Sequence, residues 1–279
     1  MKRILLILRK KDTSERGNKQ HFTWINDCKA DYEFDYWGLG ITKTTLKNLK
    51  KKIDIFKPDF IYMTFKKKYQ LSTYNTKDYW LPDLTNIKVP KIFVEVDTWK
   101  YDVNDSWYAQ FDQVYCRCPW WNGWDNVPLF RWSVQECAFP AQAHERSGIY
   151  FFGRYNGKMY STRRKIRFLL QDKIDFYIKY SNYWKYLQTS SALICPTESD
   201  AGDFIPMKLF EYLASGAAVI TNCDLNRAGI PELEPYIIRY NGLGDLQSKL
   251  SMDFVNYHDK AIPLMRNHTH RIRYKELFI

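Results

Sequence analysis

The stretch that decides the fold is TESDAGDFIPMKLFEYLASGAAVITN, residues 197–222. One apolar run precedes it at 191–196 and another lies near its end at 217–221, and both are typical of buried strands in a parallel sheet. Pro206 suits the first turn of a helix, and Gly216 suits the position just past a helix end. The pattern predicts a strand–loop–helix–strand unit. Ligands of such units bind beyond the carboxyl ends of the strands.

Two acids stand eight positions apart in this unit, Asp203 in the predicted loop and Glu211 in the predicted helix. An acid on an otherwise apolar helix is costly unless it faces a ligand or solvent. Carboxylates bind pairs of hydroxyls, so the two acids are candidates for contacts with a sugar nucleotide. The spacing equally allows Asp203 to make a local turn and Glu211 to lie on the wet face of the helix, paired with Lys208.

Strand-like and helical stretches alternate along the rest of the chain, which predicts an α/β fold with doubly wound parallel sheets. We expect helices at 42–52, 162–171 and 183–188. The strand candidates are 4–8, 60–64, 89–97, 111–116, 148–154 and 174–178. Because the alternation lapses at 139–146, the predicted domains are 1–140 and 146–258. A terminal helical segment, 259–279, is expected to pack back on the first domain.

The segment 206–221, P-x-K-L-F-E-Y-L-A-S-G-A-A-V-I-T, resembles the donor-binding segment of GT-B glycosyltransferases of the family 4 type. That family carries an acid-x7-Glu signature, usually with Glu first, where this chain has Asp203. The resemblance implies a GT-B fold, in which two Rossmann-like domains face a cleft and a C-terminal helix crosses back to the first. It implies that Asp203 contacts the donor sugar and Glu211 the ribose. The implied donor-binding residues of this segment are Asp203, Phe204, Ile205, Lys208 and Glu211.

Two further segments agree with the resemblance. Residues 149–158 look like the strand–Gly-Arg loop that opens the second domain of such enzymes, and 267–274 resembles the ending of the CgeB-like branch. A leaving diphosphate that no metal clamps needs cationic side chains to neutralise it. Arg154 and Lys158 are the candidates, and their alternative is a pair of solvated loop charges.

The sequence Glu95-Val96-Asp97 closes a predicted strand and allows three interpretations. It could be the metal-binding acid pair of a one-domain GT-A enzyme. Asp97 could instead be a catalytic base that deprotonates the acceptor in an inverting reaction, or it could form a turn at the strand end. Because 203–221 fits the two-domain type, we expect no metal and no cofactor other than the nucleotide-sugar co-substrate. Asp97 and Asp203 are the catalytic candidates.

The formal net charge is +11, and basic and aromatic residues cluster in the first half of the chain. The candidate acceptor-binding residues are Lys66, Lys67, Lys68, Trp120 and Trp121. Such clusters can hold phosphates and stack bases or sugars, although a solvated lysine face over core aromatics, or the composition of an AT-rich genome, would look the same.

The predicted function is therefore a UDP-sugar hexosyltransferase. Its acceptor would be a hydroxymethylated base in phage-type DNA. The alternatives are a cell-surface glycan, a lipid-linked sugar, or a non-catalytic sugar- or nucleic-acid-binding module. The sequence has neither a signal-peptide pattern nor an apolar run long enough to span a membrane. We therefore expect a cytoplasmic protein, in the host cytoplasm if it is phage-encoded.

Overall fold

The computed structural model describes residues 1–10, 22–64, 80–96, 101–117, 123–153, 161–177, 182–197, 207–226 and 228–279. The chain divides into two compact units. The first comprises Met1–Arg131 with His270–Ile279, and the second Trp132–Thr269. Each unit holds one five-stranded parallel sheet. The predicted α/β fold with two Rossmann-like sheets is confirmed.

The first sheet has the strand order β2-β1-β3-β4-β5. Its core fills both faces, as expected for a parallel sheet: one side packs around Trp37 and Phe93, the other around Trp24 and Tyr62. The elements of this unit up to its last strand are β1 Lys2–Ile7, α1 Trp24–Asp27, β2 Tyr32–Trp37, α2 Leu46–Phe56, β3 Phe60–Thr64, β4 Lys91–Glu95 and β5 Gln113–Cys116.

Helix α2 begins four residues later than its basic pattern predicts. Thr45 is its N-cap, since the Thr45 hydroxyl accepts a hydrogen bond from the Asn48 amide at 3.3 Å. The helix ends where Lys57 adopts a left-handed conformation with φ 52°. The expected range of 42–52 is therefore wrong at both ends. The helix begins later because the Thr45 cap fixes its first turn, and it continues as far as the left-handed turn at Lys57.

The second sheet has the strand order β10-β9-β8-β6-β7, so β6, β8 and β9 are neighbours. Its core includes Phe151, Ile194 and Ile220. Its elements are β6 Ser147–Phe152, α3 Ser161–Leu170, β7 Asp175–Tyr177, α4 Tyr183–Thr189, β8 Ser190–Cys195, α5 Met207–Ala214, β9 Ala218–Thr221, β10 Ile237–Arg239, α6 Gly242–Lys249 and α7 Ile262–Met265, and α8 His270–Leu277 follows in the first unit.

The strand–loop–helix–strand unit predicted from 191–221 is present as β8, α5 and β9. Gly216 follows the helix with φ +79°, a conformation that favours glycine. A Cβ there would stand 2.0 Å from Asp259 Oδ1 and 2.6 Å from Arg146 Nη2. The glycine is therefore required both by its backbone conformation and by the two side chains that close over it.

The chain passes into the second unit between Arg131 and Trp132, earlier than the lapse in pattern at 139–146. Contacts within the second unit explain this. Gln188 Nε2 donates to the carbonyls of residues 137–139 at 3.1–3.2 Å, and the Val134 amide donates to His268 O at 2.9 Å. At the other end, residues 259–269 also belong to the second unit. Only 270–279 joins the first, where Tyr274 stacks on Trp24 at 3.8 Å.

The helices of the described ranges are too short or too polar to span a bilayer.

Candidate functional site

The carboxyl edge of the second sheet brings three strand ends side by side. Gly153 follows β6, Thr197 comes two residues after β8, and Asn222 follows β9. Asn222 Oδ1 accepts a hydrogen bond from the Thr197 amide at 2.7 Å, and the Thr221 hydroxyl donates to Cys195 O at 2.7 Å. Side chains thus tie the ends of β8 and β9 together. This edge is where ligands of parallel α/β sheets bind.

Glu211 is buried on α5, behind this edge, with 8% of its surface exposed. Its Oε2 accepts a hydrogen bond from the Tyr183 hydroxyl of α4 at 2.6 Å. Burial raises the pKa of Glu211, while the Tyr183 hydrogen bond and the Lys208 charge act to lower it. The alternative interpretation that places Glu211 on the wet face of the helix is therefore wrong. The carboxylate lies inside the domain, held by one protein hydroxyl.

Lys208 lies one turn before Glu211, and its Nζ donates to Phe152 O, at the end of β6, at 2.6 Å. Burial lowers the pKa of Lys208 to about 8, with a further lowering from the positive charge of Arg163 and an opposing effect from Glu211. An amine with such a pKa at a strand end is a candidate anion-binding group, because perturbed side chains concentrate at functional sites.

Gly153 leaves room for the cationic groups at this edge. Its φ is +143°, and a Cβ at this position would stand 3.0 Å from Lys208 Nζ and 3.6 Å from Arg163 Nη1. The two cations therefore converge above one backbone position, directly beyond β6. Two adjacent positive groups repel each other, and a bound anion would relieve that repulsion.

Phe152 organises the side chains around this edge. Its carbonyl accepts from Lys208 Nζ and, at 3.5 Å, from the Tyr212 hydroxyl. Its ring meets the Tyr183 ring edge-on, with centroids 5.4 Å apart and an interplanar angle of 87°. One residue at the end of β6 thus contacts side chains of both α4 and α5.

Of the predicted site residues, the structure describes Lys208 and Glu211, and it brings them together one helical turn apart at the strand ends. The others lie outside the described residues: Lys66, Lys67, Lys68, Asp97, Trp120, Trp121, Arg154, Lys158, Asp203, Phe204 and Ile205.

Glu95, the first acid of the Glu-x-Asp sequence, is fully buried at the end of β4. Its Oε2 accepts from the Tyr108 hydroxyl at 2.8 Å, and its Oε1 from the Val96 amide at 2.9 Å. Both oxygens thus engage the protein itself. The one-domain GT-A interpretation of this sequence is wrong, because the chain has two separate parallel sheets.

Sequence reasoning missed Tyr183, Arg163 and Asn222 as members of this edge. Asn222 carried a usable signal, because it directly follows the apolar run of a predicted parallel strand. Arg163 lies in a basic helix with several other arginines and lysines, so no pattern singles it out. Within the described ranges, His, Cys, Asp and Glu side chains form no group of three that could hold a metal ion. Metal independence stays a prediction.

No family model and no curated protein sequence matches this chain. Solved structures do match over its full length. An α-glucosyltransferase in complex with UDP and a 13-mer DNA matches with a TM-score of 0.66 at 11% identity, covering 100% of this chain and 99% of that one. The Anabaena protein HepE in complex with UDP and glucose matches with a TM-score of 0.64 at 8% identity, covering 99% and 98%.

A third match, with a TM-score of 0.50 at 9% identity, is a putative UDP-N-acetylglucosamine 2-epimerase from Listeria monocytogenes, covering 99% of this chain and 95% of that one. Further matching structures include two glycosyltransferases, AviGT4 and one from Rickettsia africae. Together with the two five-stranded parallel sheets, these matches give the chain the fold of GT-B glycosyltransferases. At such identities the likeness concerns the fold, which also serves another kind of enzyme.

Proposed function

We propose that this chain is a glycosyltransferase that moves a hexose from a UDP-sugar to a hydroxyl acceptor. The observation that carries the proposal is that a buried carboxylate, Glu211, and an amine, Lys208, lie one helical turn apart on α5, with Lys208 Nζ bonded to the last carbonyl of β6 at the carboxyl edge of the second sheet. A carboxylate suits the ribose hydroxyls of a nucleotide, and an amine suits its diphosphate. UDP in the matching α-glucosyltransferase and HepE structures supports the choice of nucleotide.

The finer donor assignments follow the resemblance of 203–221 to family 4 type enzymes, and the resemblance of 267–274 to the CgeB-like branch accompanies it. In this proposal Asp203 contacts the donor sugar, and Phe204 and Ile205 lie against the sugar and diphosphate. Arg154 and Lys158 neutralise the diphosphate as it leaves. Lys208 and Arg163 converge beside Gly153, which directly precedes Arg154. This convergence supports the binding of an anion where the loop of Arg154 and Lys158 begins.

The reaction breaks the bond between the sugar C1 and the diphosphate oxygen and forms a bond between C1 and the acceptor oxygen. The two bonding electrons leave with UDP, whose developing charge the basic side chains stabilise. The acceptor hydroxyl loses its proton. In an inverting course Asp97 accepts that proton as general base. In a retaining course the departing diphosphate oxygen accepts it, so no base from the protein is required.

For the acceptor we propose a hydroxymethylated base in DNA. The net charge of +11 and the lysine triplet 66–68 suit a polyanion, and Trp120 and Trp121 suit an exposed base. The DNA in the matching α-glucosyltransferase structure supports DNA as the class of acceptor. A base within a duplex must leave the stack to react. A glycan or lipid-linked sugar is the competing acceptor.

The test is UDP-glucose turnover in the presence of EDTA, with hydroxymethylated DNA, unmodified DNA and glycan acceptors in parallel. We expect transfer to the modified DNA only. The variant Glu211→Gln should lose most of the rate, whereas Glu33→Gln, which changes an exposed glutamate on β2, should keep it. Transfer to a glycan alone would overturn the DNA proposal, and no binding of any UDP-sugar would overturn the enzyme proposal.

A further inference from the structure

The Glu211 carboxylate is held on one side by a tyrosine from another element. The Tyr183 hydroxyl donates to Oε2 at 2.6 Å across 28 residues of sequence, and both side chains are buried. We propose that Tyr183 is a positioning residue for donor binding: by fixing Oε2, it directs Oε1 of Glu211 toward the ribose hydroxyls. This inference rests on the proposed function, in which Glu211 contacts the ribose.

The tyrosine ring is itself fixed before any ligand binds. It packs edge-on against Phe152 at 5.4 Å, and its centroid lies 5.0 Å from the Trp184 ring. A glutamate side chain has three rotatable bonds, and ordering it costs conformational entropy. A rigid donor on α4 removes most of that freedom before the nucleotide binds. Binding sites built in this way hold their ligand-contacting groups through supporting hydrogen bonds.

The same hydrogen bond favours the charged form of the carboxylate. Burial raises the pKa of Glu211, and the Tyr183 hydroxyl and the Lys208 ammonium oppose that rise. The Cys195 thiol of β8 also interacts electrostatically with Glu211, and Arg163 of α3 affects the site through Lys208. An ionised carboxylate only accepts hydrogen bonds, so it suits two ribose hydroxyls, whereas a protonated carboxyl uses one oxygen as a donor. Removing the Tyr183 hydroxyl should therefore make the Glu211 carboxylate both more mobile and easier to protonate.

The experiment compares two ligands, UDP and 2′,3′-dideoxy-UDP, which lacks the hydroxyls that Glu211 would bind. Calorimetric titration of Tyr183→Phe should show a fall of about tenfold in UDP affinity, the size expected for a hydrogen bond to a charged group. Affinity for dideoxy-UDP should not change. The matched control is Tyr186→Phe, which removes a hydroxyl one turn along α4 from a ring that also lies near Phe152. This control should bind both ligands as the wild type does.

A double variant separates positioning from general disruption. If Tyr183 acts through Glu211, adding Tyr183→Phe to Glu211→Gln should cost much less UDP affinity than adding it to the wild type. The pH at which UDP affinity falls on acidification should also be higher in Tyr183→Phe, because its Glu211 is easier to protonate. Equal losses for both ligands, or an unchanged UDP affinity, would overturn the inference. A wild type that does not bind UDP would instead overturn the proposed function.

Discussion

Replacing Arg146 with methionine should strongly destabilise the second unit. The Arg146 guanidinium joins separate backbone segments: Nη1 donates to Gln188 O at 2.7 Å, and Nη2 donates to Ser215 O at 3.1 Å and to Asp259 Oδ1 at 2.6 Å. These carbonyls lie at the ends of α4 and α5, the helices that carry Tyr183 and Glu211. Only 5% of the arginine side chain is exposed, against 52% for Asp259.

The size of the loss follows from these contacts. Methionine retains the apolar stem but leaves the carbonyls of Gln188 and Ser215 without their charged donor, and each such bond contributes about 1.5 kcal/mol. A third bond, to Ser190 O at 3.5 Å, is too long to add much. The Asp259 carboxylate can rehydrate because it is half exposed, so its bond adds at most about 1 kcal/mol. We therefore expect the free energy of unfolding to fall by about 3–4 kcal/mol in total. For a domain of this size that lowers the melting temperature by about 10 °C.

Denaturant unfolding followed by tryptophan fluorescence and circular dichroism measures this loss. The matched control is Arg239→Met in the same unit, because Arg239 is 41% exposed and lies 3.6–3.7 Å from Asp224 and Glu234. Exposed pairs of this kind contribute about 0–1 kcal/mol. If Arg146→Met costs no more than Arg239→Met, the buried guanidinium does not hold the helix ends and the reasoning fails.

The remaining predictions concern Lys208 and Glu211 of α5. Burial raises the pKa of Glu211 in the folded protein above its pKa in the unfolded chain. The folded state therefore loses stability as the pH rises from the unfolded pKa through the higher folded pKa. Glu211→Gln should therefore be more stable than the wild type at pH 8 and equally stable below about pH 4, as denaturant unfolding would show. Lys208 has a pKa of about 8. UDP affinity measured by calorimetry should fall as the pH rises through 8, and Lys208→Met should remove this pH dependence while weakening binding at pH 7. If the UDP affinity of Lys208→Met still falls as the pH rises through 8, a group other than Lys208 causes the pH dependence.

Sequence patterns predicted the strand–helix–strand unit of β8, α5 and β9 well for a physical reason. The runs that became β8 and β9 are mainly apolar. The helix between them is followed by Gly216, whose left-handed conformation favours glycine. Strand β2 was missed because YEFDYW alternates large apolar residues with acids, as an edge strand does. Glu33 is exposed there, and Asp35 pairs with Lys52 of α2 at 2.5 Å.

The candidate site was only half predictable from the sequence. Glu211 became a candidate because an acid interrupts an apolar helix and because 203–221 resembles a donor-binding segment, and its role in binding stays a prediction. Tyr183 could not be found, because it is one of 21 tyrosines and reaches Glu211 only through the packing of α4 beside α5. The position at which the chain enters the second unit was missed for the same reason, since the hydrogen bonds of Gln188 to residues 137–139 are tertiary.

The directions of the pKa shifts on α5 agree with the proposed role of its charges in binding a ligand. Two groups that mainly stabilised each other as an ion pair would shift apart, with the glutamate pKa lowered and the lysine pKa raised. Here burial dominates both: the pKa of Glu211 is raised and that of Lys208 is lowered. Both charged forms therefore cost the folded protein stability, and an apolar pair of similar volume would fold at least as well. In the proposed function, a nucleotide diphosphate that neutralises Lys208 while its ribose hydroxyls solvate Glu211 would offset that cost.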